Sequence, residues 1–134
     1  MIVVDSSAWI EFLRATGRQA HLTVRRLLRE GAELAATEVV VMEVLAGART
    51  ARDERALREQ LSAFPILSLR GLADFEAAAG LYRACRAAGE PIRHLAGCLV
   101  AVPAIEAGVP VLHADRDFDT LARHTPLEVV PLDE

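Results

Sequence analysis

Short apolar runs alternate along this chain with longer stretches whose apolar residues recur every three to four positions. The first run, Met1-Ile2-Val3-Val4, stops at Asp5-Ser6-Ser7 and has the pattern of a strand buried on both faces. Ser6 or Ser7 is then placed to cap a helix over Ala8 to Arg14. After Gly17, Leu22, Leu27 and Leu28 carry helical spacing through His21 to Glu30, ending at Gly31. A second short strand is expected at Glu33 to Ala36, and Thr37 stands as the cap of a helix over Glu38 to Ala48. Asp53 to Ala63 reads as a charged amphipathic helix, Pro65 to Leu69 as a strand, and Leu72 to Ala88 as an Ala-rich helix closed by Gly89. Leu95 to Ala107 is helical in composition, although Pro103 removes a backbone donor and predicts a kink unless the local geometry adapts. A strand at Val109 to His113, a helix at Phe118 to Arg123 and a last strand at Glu128 to Val130 complete the pattern.

Strands alternating with helices predict the α/β class, with a parallel sheet covered by helices on both faces. Ligands of such sheets gather beyond the carboxyl ends of the strands, where Asp5 and Asp115 both stand. The 134 residues, 52% of them apolar, are enough for one core, so residues 1–134 are read as a single domain. No apolar stretch reaches the roughly 18 to 20 residues of a membrane span, and the start lacks the charged and apolar regions of a signal peptide. A soluble, cytoplasmic protein is expected. Cys85 and Cys98 fit no zinc spacing and read as reduced thiols in or near the core.

An excess of acids, 19 against 15 bases, excludes nucleic-acid binding through overall charge. Any such binding must be local. Every basic residue is arginine, a planar cation suited to phosphate or carboxylate, though codon bias produces the same usage. Arg49, Arg52, Arg55 and Arg58 make one helical stripe interleaved with acids, which reads as a solvated face.

The stretch LHADRDFDTLAR, residues 112–123, places Asp115, Asp117 and Asp119 directly behind an apolar strand. Helix capping and a metal ion both account for such charge. Asp119, in the first turn of the expected helix, is assigned to the helix dipole; Asp117 fits either an N-cap before Phe118 or a ligand. Glu43 lies in the apolar stretch Val39 to Leu45, and helical side chains tilt toward the N-terminus, so it can reach the rim shared by Asp5 and Asp115. Singly, these acids also fit turns or an arginine pair. Together, packed carboxylates raise one another's pKa, whereas a divalent cation keeps them ionised. An all-oxygen set suits Mg²⁺ or Mn²⁺, and metal-assisted phosphodiester hydrolysis is the matching reaction class. His113 reads as a packing residue, and no nucleophile-and-base signature is present.

Three blocks then stand in order: Asp5-Ser6-Ser7-Ala8-Trp9-Ile10-Glu11, Met42-Glu43-Val44-Leu45-Ala46-Gly47-Ala48-Arg49, and Asp115-Arg116-Asp117-Phe118-Asp119. As an ordered set over essentially the whole chain, they resemble the PIN-domain toxins of the VapC type. The resemblance implies a PIN-like three-layer α/β/α sandwich with a mostly parallel central sheet. It further implies an endoribonuclease dependent on Mg²⁺ or Mn²⁺, a homodimer, and inhibition by a VapB-type antitoxin. By the same resemblance Asp5, Glu43 and Asp115 are metal-binding or catalytic carboxylates, Asp117 supports them, and Ser7 shapes the pocket. Arg93 and Arg116, near the expected rim, are candidates for RNA phosphate.

One position departs from the family pattern: Gly97 stands where an aspartate is usual. No neighbour obviously replaces it, since His94, one helical turn earlier, has the wrong chemistry for a hard cation. Two function classes follow, a VapC-like ribonuclease and a PIN-domain protein that docks antitoxin or RNA but cuts poorly. A receiver-like phosphate acceptor is disfavoured by the absence of any lysine.

Overall fold

A computed structural model describes residues 1–133. Strand β1 (Ile2–Val4) lies at the centre of a parallel sheet of order β2-β1-β3, between β2 (Leu34–Ala35) and β3 (Val111–Leu112). Val3 pairs with both Ala35 and Val111, and Val3, Val4, Ala35, Val111 and Leu112 are all fully buried. Burial on both faces is the reason these strands are continuous apolar runs.

The strands expected at Pro65 to Leu69 and Glu128 to Val130 are each reduced to one parallel bridge, Ala36 with Ile66 and Val111 with Val129. Competing hydrogen bonds shorten both. On one edge Leu69 N donates to the Glu38 carboxylate at 3.0 and 3.1 Å instead of continuing a ladder. On the other, Asp133 N turns away to Thr23 Oγ1 at 2.9 Å, just after Pro131.

Helix α1 (Ser6–Leu13) starts two residues before the expected Ala8, because Asp5, not Ser6 or Ser7, is its N-cap and accepts from Ser7 N at 3.0 Å. Helices α2 (Gln19–Arg29), α3 (Glu38–Ala46) and α4 (Ala51–Leu61) follow, with Thr37 capping α3 as expected. After them come α5 (Leu72–Ala87), α6 (Ala96–Ala107) and α7 (Arg116–His124). The N-cap of α7 is Asp115, which accepts from Asp117 N at 2.9 Å, so Asp117 sits inside the first turn and is not the cap. Helix α6 runs unbroken through Pro103; the stretch Val100 to Ala104 is buried throughout, and its packing outweighs one missing donor.

Helix α1 packs on α2 and α3, and α3 on α4, while α5 packs on α6 and α7. With the sheet these groups make the α/β/α sandwich. Cys85 and Cys98 are free and fully buried, and burial pushes the Cys98 thiol up to about 12, which makes it a poor nucleophile. The arginine stripe is exposed; Arg49 precedes α4, and Arg58 pairs with Glu54 inside it. No helix among the described residues is long and apolar enough to cross a membrane.

Two acids tie the α5 end of the layer together. Asp74, buried, accepts from Arg70 N at 2.8 Å and Nη2 at 2.9 Å, bonds that hold its pKa below the ordinary value. Glu90 bridges Arg123 at 2.6 Å and His124 at 2.8 Å, and these hydrogen bonds hold it at about 2. A carboxylate depressed on folding stabilises fully above its unfolded pKa and loses that contribution as pH falls through the folded value. The fold is therefore expected to weaken as pH falls from about 4.5 towards about 2. In urea titrations Glu90→Gln should show a shallower loss over that window, and parallel pH profiles for the two chains would contradict the assignment.

Candidate functional site

The carboxyl ends of β1 and β3 lead into helices through the same local device, an aspartate whose side chain caps the helix that follows. This places Asp5 and Asp115 side by side at the sheet rim with their carboxylates facing two helix N-termini. The junctions are cross-linked: Ser7 donates from N at 3.0 Å and Oγ at 2.6 Å to Asp5 Oδ2, and its Oγ accepts from Ala114 N at 2.9 Å. Ser6 Oγ donates to Glu43 Oε1 at 2.9 Å and fixes α3 to the start of α1. Asp5, Glu43 and Asp115 line one cleft of about 260 Å³, which His94 and Gly97 border on the α6 side.

Burial raises the pKa of Asp5, the Ser7 hydrogen bonds oppose that shift, and the charge of Glu43 adds to it. Ionisation of Asp5 is therefore disfavoured by its burial and by the Glu43 charge, and favoured by the Ser7 hydrogen bonds and by any cation held beside it. Ser7 Oγ and Ser6 Oγ engage one oxygen each of Asp5 and Glu43, and Arg93 Nη2 takes Oδ1 of Asp115 at 2.8 Å. The second oxygen of each of the three receives no side-chain hydrogen bond among the described residues. Oxygen donors in this state fit a hard divalent ion.

Asp117 is placed differently. It is 5% exposed, does not border that cleft, and accepts from Arg93 N at 3.1 Å, His94 N at 3.2 Å and Arg93 Nε at 3.4 Å. It therefore fastens the segment before α6 onto α7. Arg116 is exposed and, with Ser7, Arg93, His94 and Asp115, outlines a shallow depression beside the cleft. Asp119, in the first turn of α7, accepts from His113 Nε2 at 3.1 Å, while His113 Nδ1 accepts from Asp115 N at 3.1 Å. These two bonds assign the His113 proton to Nε2. His113 does pack, stacked 5.2 Å from Phe118, but it also holds the backbone that presents Asp115.

Three features escaped the sequence reading. Ser6 orients Glu43, and nothing in the sequence distinguishes it from a capping serine. His94 reaches the cleft because its own N–H is anchored on Asp117. An apolar groove of about 210 Å³ opens between α1, α2 and α4, walled by Trp9, Phe12, Leu28, Leu57, Leu61 and Phe64. Beneath it, Trp9 Nε1 is buried without a hydrogen-bond partner among the described residues. Gly97 is not required by packing, since a Cβ there would lie an ordinary 3.6 Å from the Phe118 ring.

Residues 2–124 match the PIN domain family. The chain is 45% identical over 129 residues to "Ribonuclease VapC11" of Mycobacterium tuberculosis, covering 96% of each. Among solved structures it is similar to VapBC2 from Rickettsia felis bound to a DNA fragment from their promoter, with a TM-score of 0.72 and 15% identity over 97% of this chain and 98% of that one. It is also similar to VapBC-5 from Mycobacterium tuberculosis, with a TM-score of 0.67 and 21% identity over 96% and 95%. Family match, whole-length relatives and shared fold agree, and the chain belongs to the PIN-domain family as one of its VapC ribonucleases.

Proposed function

We propose that this protein is the endoribonuclease toxin of a VapBC-type system, acting in the cytoplasm as a homodimer with Mg²⁺ or Mn²⁺ held by Asp5, Glu43 and Asp115. The supporting observation is that these three carboxylates, from β1–α1, α3 and β3–α7, border a single cleft in which Asp5 is raised above its ordinary pKa. A divalent cation held by Asp5, Glu43 and Asp115 would relieve their repulsion and supply Lewis-acid chemistry for phosphodiester hydrolysis. Ser7 orients Asp5, Ser6 orients Glu43, and Asp117 holds the Arg93-His94 backbone in place. Arg116 and the half-exposed Arg93 lie beside the cleft, where guanidinium groups bind the RNA backbone. In this reading the Arg93 guanidinium pairs with Asp115 until an RNA phosphate replaces the carboxylate as its partner.

A VapB-type antitoxin is the partner, consistent with the toxin-antitoxin assemblies among the similar structures. The aromatic groove is its proposed seat, since its largely apolar wall suits the apolar face of a partner segment. The second reading, a weak nuclease that acts by binding, is favoured by one observation: Gly97 borders the cleft without a ligand atom.

Four outcomes are expected. Asp5→Asn removes a buried charge, so the metal-free protein should melt higher above the ordinary carboxylate range and gain nothing in acid, where Asp5 is already neutral. The same variant should lose metal-dependent cleavage of structured RNA; retained cleavage would remove Asp5 from the site. Gly97→Asp should raise cleavage at least ~10-fold, the effect of a single ~1.4 kcal/mol contribution to the transition state. Equal rates at saturating Mg²⁺ and Mn²⁺ would show that the cleft needs no acid at 97. Leu57→Arg, a charge set into the groove, should weaken binding of the antitoxin by ~10-fold or more in calorimetry while leaving RNA cleavage intact.

A further inference from the structure

Each of the other three histidines is committed to a partner. His21 Nδ1 accepts from Gly17 N, His113 is bonded at both ring nitrogens, and His124 Nε2 meets Glu90. The His94 ring makes no hydrogen bond among the described residues; its nearest carboxylate oxygen is Asp117 Oδ2, 3.6 Å from Nδ1. Its backbone, by contrast, is pinned, since the N–H groups of Arg93 and His94 both bind Asp117 Oδ2. The result is an uncommitted imidazole on a fixed stem at the edge of an acidic cleft.

The cleft itself is unevenly furnished. Asp5, Glu43 and Asp115 provide donors from three sides, but on the α6 side Ala96 and Gly97 offer none. His94 is the one side chain on that side with a ligand atom. One ligand atom each from His94, Asp115 and Asp117 lie within 4.8 Å of one another. Donors about 2.1 Å from a shared ion stand roughly 3 to 4.2 Å apart, and the His94 ring, whose side chain is 68% exposed, has room to turn towards Asp115.

We propose that His94 is a nitrogen ligand of the metal site and that it turns the site's preference from Mg²⁺ towards Mn²⁺ and the later divalent transition ions. The inference rests on the metal-dependent reading above. Its chemical basis is donor type: Mg²⁺ takes oxygen ligands and keeps its waters, whereas imidazole nitrogen gains affinity along the transition series from Mn²⁺ onward. Asp115 serves both sets, with Oδ2 available to the ion while Oδ1 holds Arg93 and Asp117 N.

The test is metal binding by the full, chelator-stripped chain without RNA. Mn²⁺ is followed through the spectrum of the free ion, and Mg²⁺ by its competition with Mn²⁺. The unchanged chain is expected to prefer Mn²⁺ over Mg²⁺ by at least ~10-fold, and His94→Ala to lower that ratio by at least ~10-fold through Mn²⁺ alone. His94→Asp, which keeps a donor but makes it oxygen, should retain Mg²⁺ without the Mn²⁺ preference. An unchanged ratio in His94→Ala, or an equal loss of both metals, overturns the inference. Asp5→Asn separates the two readings. If it abolishes binding while His94→Ala changes nothing, the metal site stands and His94 falls out of it; if it leaves binding intact, the metal site at Asp5 falls as well.

Discussion

The structure depends on one unfavourable arrangement, a carboxylate, Asp5, buried at the end of the central strand with Glu43 beside it. Desolvation and a like charge both oppose ionisation there. The fold compensates locally. Asp5 caps α1, receives two hydrogen bonds from Ser7 and faces a helix N-terminus, and each of these favours the charged form. Asp115 repeats the device at the adjacent strand and adds an arginine as counter-ion. Neither device neutralises the cluster as a whole, which is why the proposed function places a divalent cation in the cleft.

A layer of hydrogen bonds behind the acids holds them in register. Ser7 Oγ accepts from Ala114 N, so the two strand-to-helix junctions move as one unit, and Ser6 extends that unit to Glu43. Asp117 fastens the segment bearing Arg93 and His94, while His113 links the Asp115 backbone to Asp119. Five acids close in sequence or space thus do different work according to which donors reach them. Asp117, the most enclosed of the α7 acids, is largely occupied by backbone N–H groups.

The groove and the cleft share two helices. Asp5 caps α1, and Trp9 and Phe12 follow on the same helix; Glu43 borders the cleft while Val44, its neighbour on α3, lines the groove. An occupant of the groove therefore bears on the elements that position the carboxylates.

The sequence by itself determined the alternation of strand and helix, the burial of the central strands, the cap at Thr37 and the gathering of Asp5, Glu43 and Asp115 at one rim. All of these follow from local periodicity and from the handed geometry of parallel sheets. Tertiary structure decided the rest, because it turned on competition between partners far apart in the chain. Pro65 to Leu69 carries a strand pattern, yet Glu38 takes the Leu69 N–H and leaves one bridge. Capping was readable at both junctions, but whether Asp5 or Ser6, Asp115 or Asp117, accepts the first N–H depends on how each strand delivers the chain. Asp117 reads as a ligand or a cap, and the structure adds a third task, holding the Arg93-His94 backbone; His94 reads as the wrong chemistry for a hard cation, and that same contact carries it to the cleft. Spacing announces which residues share an element; only packing decides which donor each acid receives.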